Sequence, residues 1–441
     1  MTDTLFELPS AEAPREQPAV KPEPRVQRPN RAQVELRPVD LEGLLPADHR
    51  ARLVWEFVEG LDLTPLYAAI KAVEGHAGRP PIDPAILMAL WLYATVEGVG
   101  SARAIARLCE EHDAYRWLCG GVSVNYHTLA DVRVQPVEEL DRLLTTSVAT
   151  LTAEGLVTLT RVAQDGVRVR ASAGAASFRR RPRLEACLAE AEAQVEALRR
   201  EVHDDPGATT RRQAAARQRA AEERRQRVAK ALEQVPEIAA KKKATEREQA
   251  RASTTDPEAR VMKMADGGFR PAFNGQFATD TAAQVIVGVD ATNVGSDRAQ
   301  LAPMTEQLQG RYGQAPAELL VDGGFVNHEA MIAVARPELG CTVYAPVSAP
   351  RDRTRDPYQP CPGDPAVIAQ WRQRMGTEAA KTIYKERAAT SECVNAIARN
   401  RGLLHFGVRG VVKVKAVLLW FALAHNLMRA VTLRQAAAAA P

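Results

Sequence analysis

The stretch Leu159-Thr160-Arg161-Val162-Ala163-Gln164-Asp165-Gly166-Val167-Arg168-Val169-Arg170-Ala171 decides how the rest of the chain is read. Val157, Leu159, Val162 and Ala163 give it the apolar character of a buried strand, and Gly166 releases the backbone just after a carboxylate. A carboxylate held at a sheet edge suits an oxygen-loving cation such as Mg²⁺. An Asp-Gly at a strand end is also an ordinary turn signal, so the reading depends on partners elsewhere in the chain.

Those partners lie downstream. Phe269 to Thr279 and Gln284 to Thr292 read as strands joined across Asp280-Thr281-Ala282-Ala283, an antiparallel hairpin. A helix follows over Arg298 to Arg311. Glu318-Leu319-Leu320-Val321-Asp322-Gly323-Gly324-Phe325 is a second apolar strand running into Asp and glycines, with Asn327 placed to cap a helix through Ala335. Cys341 to Tyr344 supplies a last short strand. Three antiparallel strands followed by parallel ones give an α/β, ribonuclease-H-like mixed sheet, in which the first and fourth strands are neighbours. Asp165 and Asp322 are therefore expected to meet.

A third carboxylate should come from a helix crossing that site. Tyr384 to Arg399 is such a helix, with Arg387 and Asn395 within one or two turns of Glu392 and Arg399 seven residues beyond it. Glu386, six residues before Glu392, points to a different face and is the rival for the third position.

Before the second strand the chain leaves the sheet. From Arg183 to Val202, Leu184, Leu188, Ala191, Val195, Leu198 and Val202 recur at alternating spacings of four and three, a heptad seam of coiled-coil type. His203-Asp204-Asp205-Pro206-Gly207 breaks it, and a second helix with Ala214, Ala221, Val228 and Val235 on one stripe runs back. This long Arg-rich helical hairpin interrupts the sheet; it is open whether it is an oligomerisation arm, a DNA-backbone clamp or a spacer.

Upstream, Leu41 to about Leu144 is helical. Thr64-Pro65 and Asp83-Pro84 are start signals, Gly98 to Gly100 break a long apolar helix over Ile86 to Val96, and Ser101 caps the next helix through Glu110. That bend is of helix-turn-helix type, although an ordinary helical bundle has the same spacing. Trp91, Trp117 and Trp420 sit in apolar helical settings and are expected in the core, and His127, His328 and His425 are expected to be structural or surface groups. The first 40 residues are too poor in large apolar side chains to fold alone and are expected to be a disordered tail.

With 441 residues and 46% hydrophobic content, the chain has room for two or three domains with real cores. The net charge is only +4, but Arg179-Arg180-Arg181, Arg211-Arg212, Arg224-Arg225 and Lys241-Lys242-Lys243 are local basic runs. Six scattered cysteines without a CxxC pair indicate reduced, cytoplasmic thiols rather than a disulfide framework or a zinc ribbon. The apolar run Ala416 to Ala424 is too short to span a bilayer, so no membrane partner is expected.

Taken together, Ala163-Gln164-Asp165-Gly166, Leu320-Val321-Asp322-Gly323-Gly324-Phe325, Tyr384…Arg387…Glu392 and Arg409-Gly410…Lys413-Val414…Ala424-His425-Asn426-Leu427-Met428-Arg429 resemble a bacterial insertion-sequence transposase of the DDE type. More narrowly, they are similar to the group whose Glu helix carries a Tyr-Arg-Glu-Lys signature. The helices over Leu41 to Leu144 resemble the N-terminal domain of such enzymes, and Asp256-Pro257-Glu258-Ala259-Arg260, Gly267-Gly268-Phe269 and Asn274-Gly275-Gln276 resemble the stretch before their second Asp. Two departures stand out: four residues rather than three separate Arg387 from Glu392, and the closing Lys is Arg399.

The resemblance implies two Mg²⁺ (or Mn²⁺) ions held by Asp165, Asp322 and Glu392, which cut and join DNA strands. It implies DNA contacts by Tyr384, Arg387 and Arg399, although the two arginines also suit pairing with Glu386 or Glu392 on the helix surface. It further implies double-stranded DNA, as element ends and target, for a substrate, a homo-oligomer in the synaptic complex and a nucleoid-associated place in the cytoplasm. The expected organisation is a tail over 1–40, a helical DNA-binding domain over 41–150, a catalytic domain over 151–181 and 256–432 split by the hairpin at 182–255, and an Ala-rich tail over 433–441. Two alternatives share the fold: a DNA-binding protein without catalysis, and a two-metal nuclease without strand transfer.

Overall fold

The computed structural model describes Ala32 and residues 40–72, 80–134, 136–204, 210–350 and 354–439, with the side chains of 202–204 left out. Apart from Ala32 and Asp40, the expected N-terminal tail lies outside the described residues. So does most of the expected break between the hairpin helices, residues 205–209.

Eight strands follow one another in the described residues: β1 (Arg161–Arg170), β2 (Phe178–Arg179), β3 (Ala252–Ser253), β4 (Arg260–Lys263), β5 (Phe269–Asp280), β6 (Ile286–Thr292), β7 (Glu318–Leu320) and β8 (Thr342–Tyr344). β1 lies in the middle of the main sheet. Its apolar side chains Val162, Ala163, Val167 and Val169 are buried, as a central strand covered on both faces requires. It pairs antiparallel with β5, from Val162 opposite Asp280 to Arg170 opposite Ala272. On its other edge it pairs parallel with β7, from Arg161 opposite Glu318 to Ala163 opposite Leu320. β8 continues the parallel side beyond β7, and β6 and β4 both pair antiparallel with β5. The order β6-β5-β1-β7-β8 places the first and fourth main strands side by side, as their sequence pattern requires.

After β1 the chain leaves the sheet through β2, runs out along a helix over Arg181–Asp204, returns along a helix over Arg211–Ala240 and re-enters at β3. β2 and β3 pair as a two-stranded ribbon that pinches the base of this hairpin, and Ser177 Oγ meets Ser253 Oγ there at 2.7 Å. The seam is fully buried at Leu184 and Ala191 on the outgoing helix and at Ala221, Val228, Ala231 and Val235 on the returning one. Leu188, Val195 and Leu198 are half-buried, because two helices alone cannot enclose both flanks of a seam.

The N-terminal region is helical, as expected. Asp83 caps the helix Pro84–Val96 by accepting from Ala85 N at 2.8 Å, and Ser101 caps Ala102–Glu111. Ile86 to Ala94 are all buried, so Pro84–Val96 is enclosed on every side rather than amphipathic. It packs on the C-terminal helix Val411–Ala439, with the rings of Trp91 and Trp420 6.2 Å apart. One continuous hydrophobic core therefore joins the N-terminal helices to the sheet.

Val411–Ala439 is long and apolar enough to cross a membrane by length and composition, well beyond the nine-residue run visible in the sequence. Leu418, Leu419, Phe421, Leu423 and Leu427 are buried against the sheet and the N-terminal helices, which accounts for that composition. Residues 433–439 continue this helix and form no separate tail. Its first turn is capped from the loop before β4: Gly410 N donates to Asp256 Oδ2 at 3.2 Å and Val411 N to Glu258 Oε2 at 2.6 Å. Trp117 departs from expectation. It is half-buried, donates to Glu42 at 3.0 Å and lies under the Arg52 guanidinium.

Candidate active site

Continuing the β1–β7 register two residues past Ala163 and Leu320 brings Asp165 level with Asp322. Each aspartate is steadied by the backbone that follows it. Gly166 N donates to Asp165 Oδ1 at 2.9 Å, and Gly324 N donates to Asp322 Oδ1 at 2.8 Å, closing the turn Gly323–Phe325. Gly166 has no substitute here: a Cβ on it would stand 2.5 Å from Asp297 Oδ1 and 2.7 Å from Gln276 Nε2. The Asp165 carboxyl is pushed up to about 6, first by burial, with Asp322 and Asp297 adding like charge and Arg387 opposing them.

The third segment is a broken helix. Glu378–Arg387 and Cys393–Asn400 are α-helical, and Ala388–Glu392 between them forms a π turn. A π turn takes up one residue more than an α turn, and this absorbs the additional residue between Arg387 and Glu392. Arg387 consequently reaches both neighbours. Its Nη2 lies 3.4 Å from Glu392 Oε1 and its Nη1 3.8 Å from Asp165 Oδ2. One turn on, Asn395 Nδ2 donates to Asp165 Oδ2 at 2.9 Å.

The other expected site residues divide. Tyr384 donates its hydroxyl to the Val321 carbonyl at 3.1 Å, which ties the helix to the segment leading into Asp322, and burial raises its phenol above the ordinary value. Arg387 is largely buried between carboxylates. Arg399 is exposed, with no side-chain partner among the described residues and no contact with the other site residues. The rival Glu386 pairs with Arg161 at 2.5 Å, and Arg161 also holds Glu318 at 2.5 Å. Glu386 is thus engaged at the start of β1, four residues before Asp165. Glu392 is two-thirds exposed at the mouth of the site.

Sequence reasoning missed Asp297. It is nearly buried and accepts from Asn274 Nδ2 at 2.6 Å, Gln276 Nε2 at 2.8 Å and Arg168 Nη2 at 3.3 Å. Its Oδ2 lies 3.7 Å from where a Cβ on Gly324 would begin, so it sits between the two Asp-Gly turns. The signal was present in Asn274 and Gln276: two amides on one face of an otherwise apolar buried strand need a polar partner. Other motif residues prove structural. Asn426 accepts from Ile286 N at 2.8 Å and donates to Ile286 O at 2.7 Å, clamping β6 to the C-terminal helix. His425 meets the Gln284 carbonyl at 2.9 Å and burial pushes its imidazole down to about 4.

With this geometry in hand, two family models match the chain: Transposase domain (DUF772) over residues 39–135 and Transposase DDE domain over residues 365–431. The two matches support an insertion-sequence DDE transposase. The second match contains Tyr384, Arg387, Glu392 and Arg399, whereas Asp165 and Asp322 fall outside both. No curated protein and no solved structure matches this transposase.

Among the described residues of the transposase, no three His, Cys, Asp or Glu side chains stand close enough together to hold a metal. The Arg387 guanidinium lies between Asp165 and Glu392 and supplies the positive charge there. The donor set still fits a divalent cation, since all three groups are hard carboxylate oxygens and a buried, destabilised Asp165 anion gains from a neighbouring cation. The hairpin cations are differently placed from what their number suggests. Arg181, Arg183, Arg200, Arg217, Arg224, Arg225, Arg227, Lys230 and Lys241 all pair with glutamates.

Proposed function

We propose that this transposase binds the double-stranded ends of its own insertion sequence as a homo-oligomer, then cleaves them and joins them to target DNA. In this reading the sheet is a ribonuclease-H-like catalytic scaffold, and Asp165, Asp322 and Glu392 hold two Mg²⁺ or Mn²⁺ ions. The observation that supports it is the parallel β1–β7 pairing, which stops two residues short of both aspartates and leaves them near enough for Asp322 to add like charge at Asp165.

The chain's own residues do the positioning. Gly166 N–H and Gly324 N–H each occupy one oxygen of their aspartate, which fixes both carboxylates. Asn395 orients the second oxygen of Asp165, and Tyr384 anchors the helix to the Val321 carbonyl. When bound, the metal ions activate the attacking water or 3′-hydroxyl and stabilise the leaving oxygen. Arg387, relieved of balancing the carboxylates, is placed to take a phosphate oxygen. Arg399, exposed and without a side-chain partner among the described residues, suits flanking DNA. The N-terminal helices read the element ends, and the work is done on nucleoid DNA in the cytoplasm.

The test uses purified protein, labelled duplex carrying the gene's own flanking ends, and plasmid target with Mg²⁺ or Mn²⁺. Nicked ends that become covalently joined to the plasmid, and that vanish with EDTA, are the expected result. Cleavage without joined products supports a nuclease instead, and bound but uncut ends support a DNA-binding protein without catalysis.

A further inference from the structure

Away from the carboxylates, a cavity of about 550 Å³ opens where the N-terminal helices, the end of β1 and the start of the C-terminal helix converge. Arg103, Arg133, Arg409 and Lys413 line it, brought together from three distant parts of the sequence. None of the four side chains has a carboxylate or hydrogen-bond acceptor among the described residues. This contrasts with Arg181, Arg183, Arg200, Arg217, Arg224, Arg225 and Arg227 of the hairpin, each of which is matched to a glutamate. Arg103, Arg409 and Lys413 are exposed, and Arg133 is half-buried with its guanidinium 5.1 Å from the Trp91 ring.

Burial pushes Arg133 down to about 10, still well above neutrality, so it remains a cation. Asp131 also lines the cavity but pairs with none of them, so four cations face one carboxylate and repel one another, and a fold keeps them so when a polyanion supplies the missing charge. Two further groups suit that ligand. The helix Ala102–Glu111 directs its positive N-terminal end here, with Ser101 at its cap. Tyr126, stacked under Arg103 at 5.2 Å, offers a partly exposed ring at the rim. Ser172, two residues past β1, is also part of the wall. Asp165 and Ser172 are seven residues apart on one extended segment, at most about 23 Å. That is roughly six or seven base pairs of duplex, so one DNA molecule can touch both places.

We infer that this junction pocket, formed by Arg103, Arg133, Arg409 and Lys413, grips the phosphodiester backbone of the DNA duplex beside the cleaved phosphate. The inference rests on the DNA reading above and adds a specific contact surface to it.

The test is fluorescence anisotropy with full-length protein, a labelled duplex carrying the gene's flanking end, and EDTA to keep catalysis out, across a salt series. Wild type is compared with Arg409→Gln/Lys413→Gln and with Arg200→Gln/Lys241→Gln, which removes the same charge from paired hairpin positions. All these side chains are exposed, and thermal unfolding checks that each variant folds. The expected result is binding roughly tenfold weaker for the pocket variant, with the slope of log K against log salt flatter by about two, and little change for the hairpin variant. Arg409→Lys/Lys413→Arg should retain binding. Equal losses in both double variants would mean that net charge alone governs binding, and unchanged binding in the pocket variant would also overturn the inference. If 10 mM inorganic phosphate stabilises wild type but not the pocket variant while duplex binding is the same in both, the pocket serves a small anion and the inference fails. If wild type binds no duplex at all, the DNA reading itself falls.

Discussion

Midway along β1, Asp165 stands near Asp322, Asp297 and Glu392, with Arg387 against Asp165 and Glu392 and Arg168 against Asp297. Just beyond the end of β1, Arg103, Arg133, Arg409 and Lys413 share a cavity with Asp131, and among the described residues no carboxylate is paired with any of the four. One strand thus separates excess negative charge from excess positive charge. The acidic end lacks cations that a metal would supply, and the basic end lacks anions that a DNA backbone would supply. The lesson is that unmatched charge converging in a concavity marks a place for a ligand, whereas matched charge, as in the hairpin's Arg–Glu pairs, marks structure.

The comparison breaks most plainly at the acidic end. Asp322→Asn should reduce strand cleavage by several kcal/mol of barrier, roughly a thousandfold, in a single-turnover assay. Its duplex binding in EDTA should equal wild type, and a matching loss of binding would show that the two ends are not separate in function. Next comes Asp297→Asn. As a positioning residue it should lower cleavage by roughly 10–100-fold. Its isothermal titration with Mn²⁺ should show weaker binding, a readout that a purely structural role would leave unmoved.

A smaller effect appears in stability. The Asp165 carboxyl is raised from its ordinary 3.8 to about 6, so its contribution is fully present below about pH 4 and is lost as pH rises through 6. Without metal, this group should cost on the order of 2 kcal/mol across that window. Asp256 and Asp280 are raised by burial too and give slopes of the same sign. The measurement is therefore the difference between the urea unfolding curves of wild type and Asp165→Asn from pH 4 to 7.5. That difference should grow with pH in favour of the variant. The smallest effect lies at the basic end, where Arg409→Gln/Lys413→Gln should weaken duplex binding about tenfold, roughly 1.4 kcal/mol.

Much of the acidic end was legible in the sequence because it follows from local rules. Apolar runs leading into Asp-Gly gave β1 and β7, although β1 does not end at Asp165 but stays paired with β5 as far as Arg170; their order gave the adjacency of the two strands, and Asn327, Asp83 and Ser101 announced their caps. The unusual spacing in the Glu helix was legible too, but not its cause, since a π turn has no sequence signature of its own. Asp297 stayed hidden because its partners lie on other strands and its own loop is unremarkable. The basic end was legible only in part: Arg409 and Lys413 stand in the C-terminal motif, but Arg103 and Arg133 are single residues from separate segments that only the fold brings to them. Tyr384 was expected to face DNA, and only the fold shows its hydroxyl taken by Val321.

The account's central claim is that Glu392, and not Glu386, completes the site with Asp165 and Asp322. The most direct measurement is strand cleavage and joining on the gene's own flanking ends with Mn²⁺, comparing wild type, Glu392→Ala and Glu386→Ala. The account predicts that Glu392→Ala binds DNA but neither cuts nor joins it, while Glu386→Ala, losing only a half-exposed pair with Arg161, still does both. A dead Glu386→Ala beside an active Glu392→Ala would contradict it.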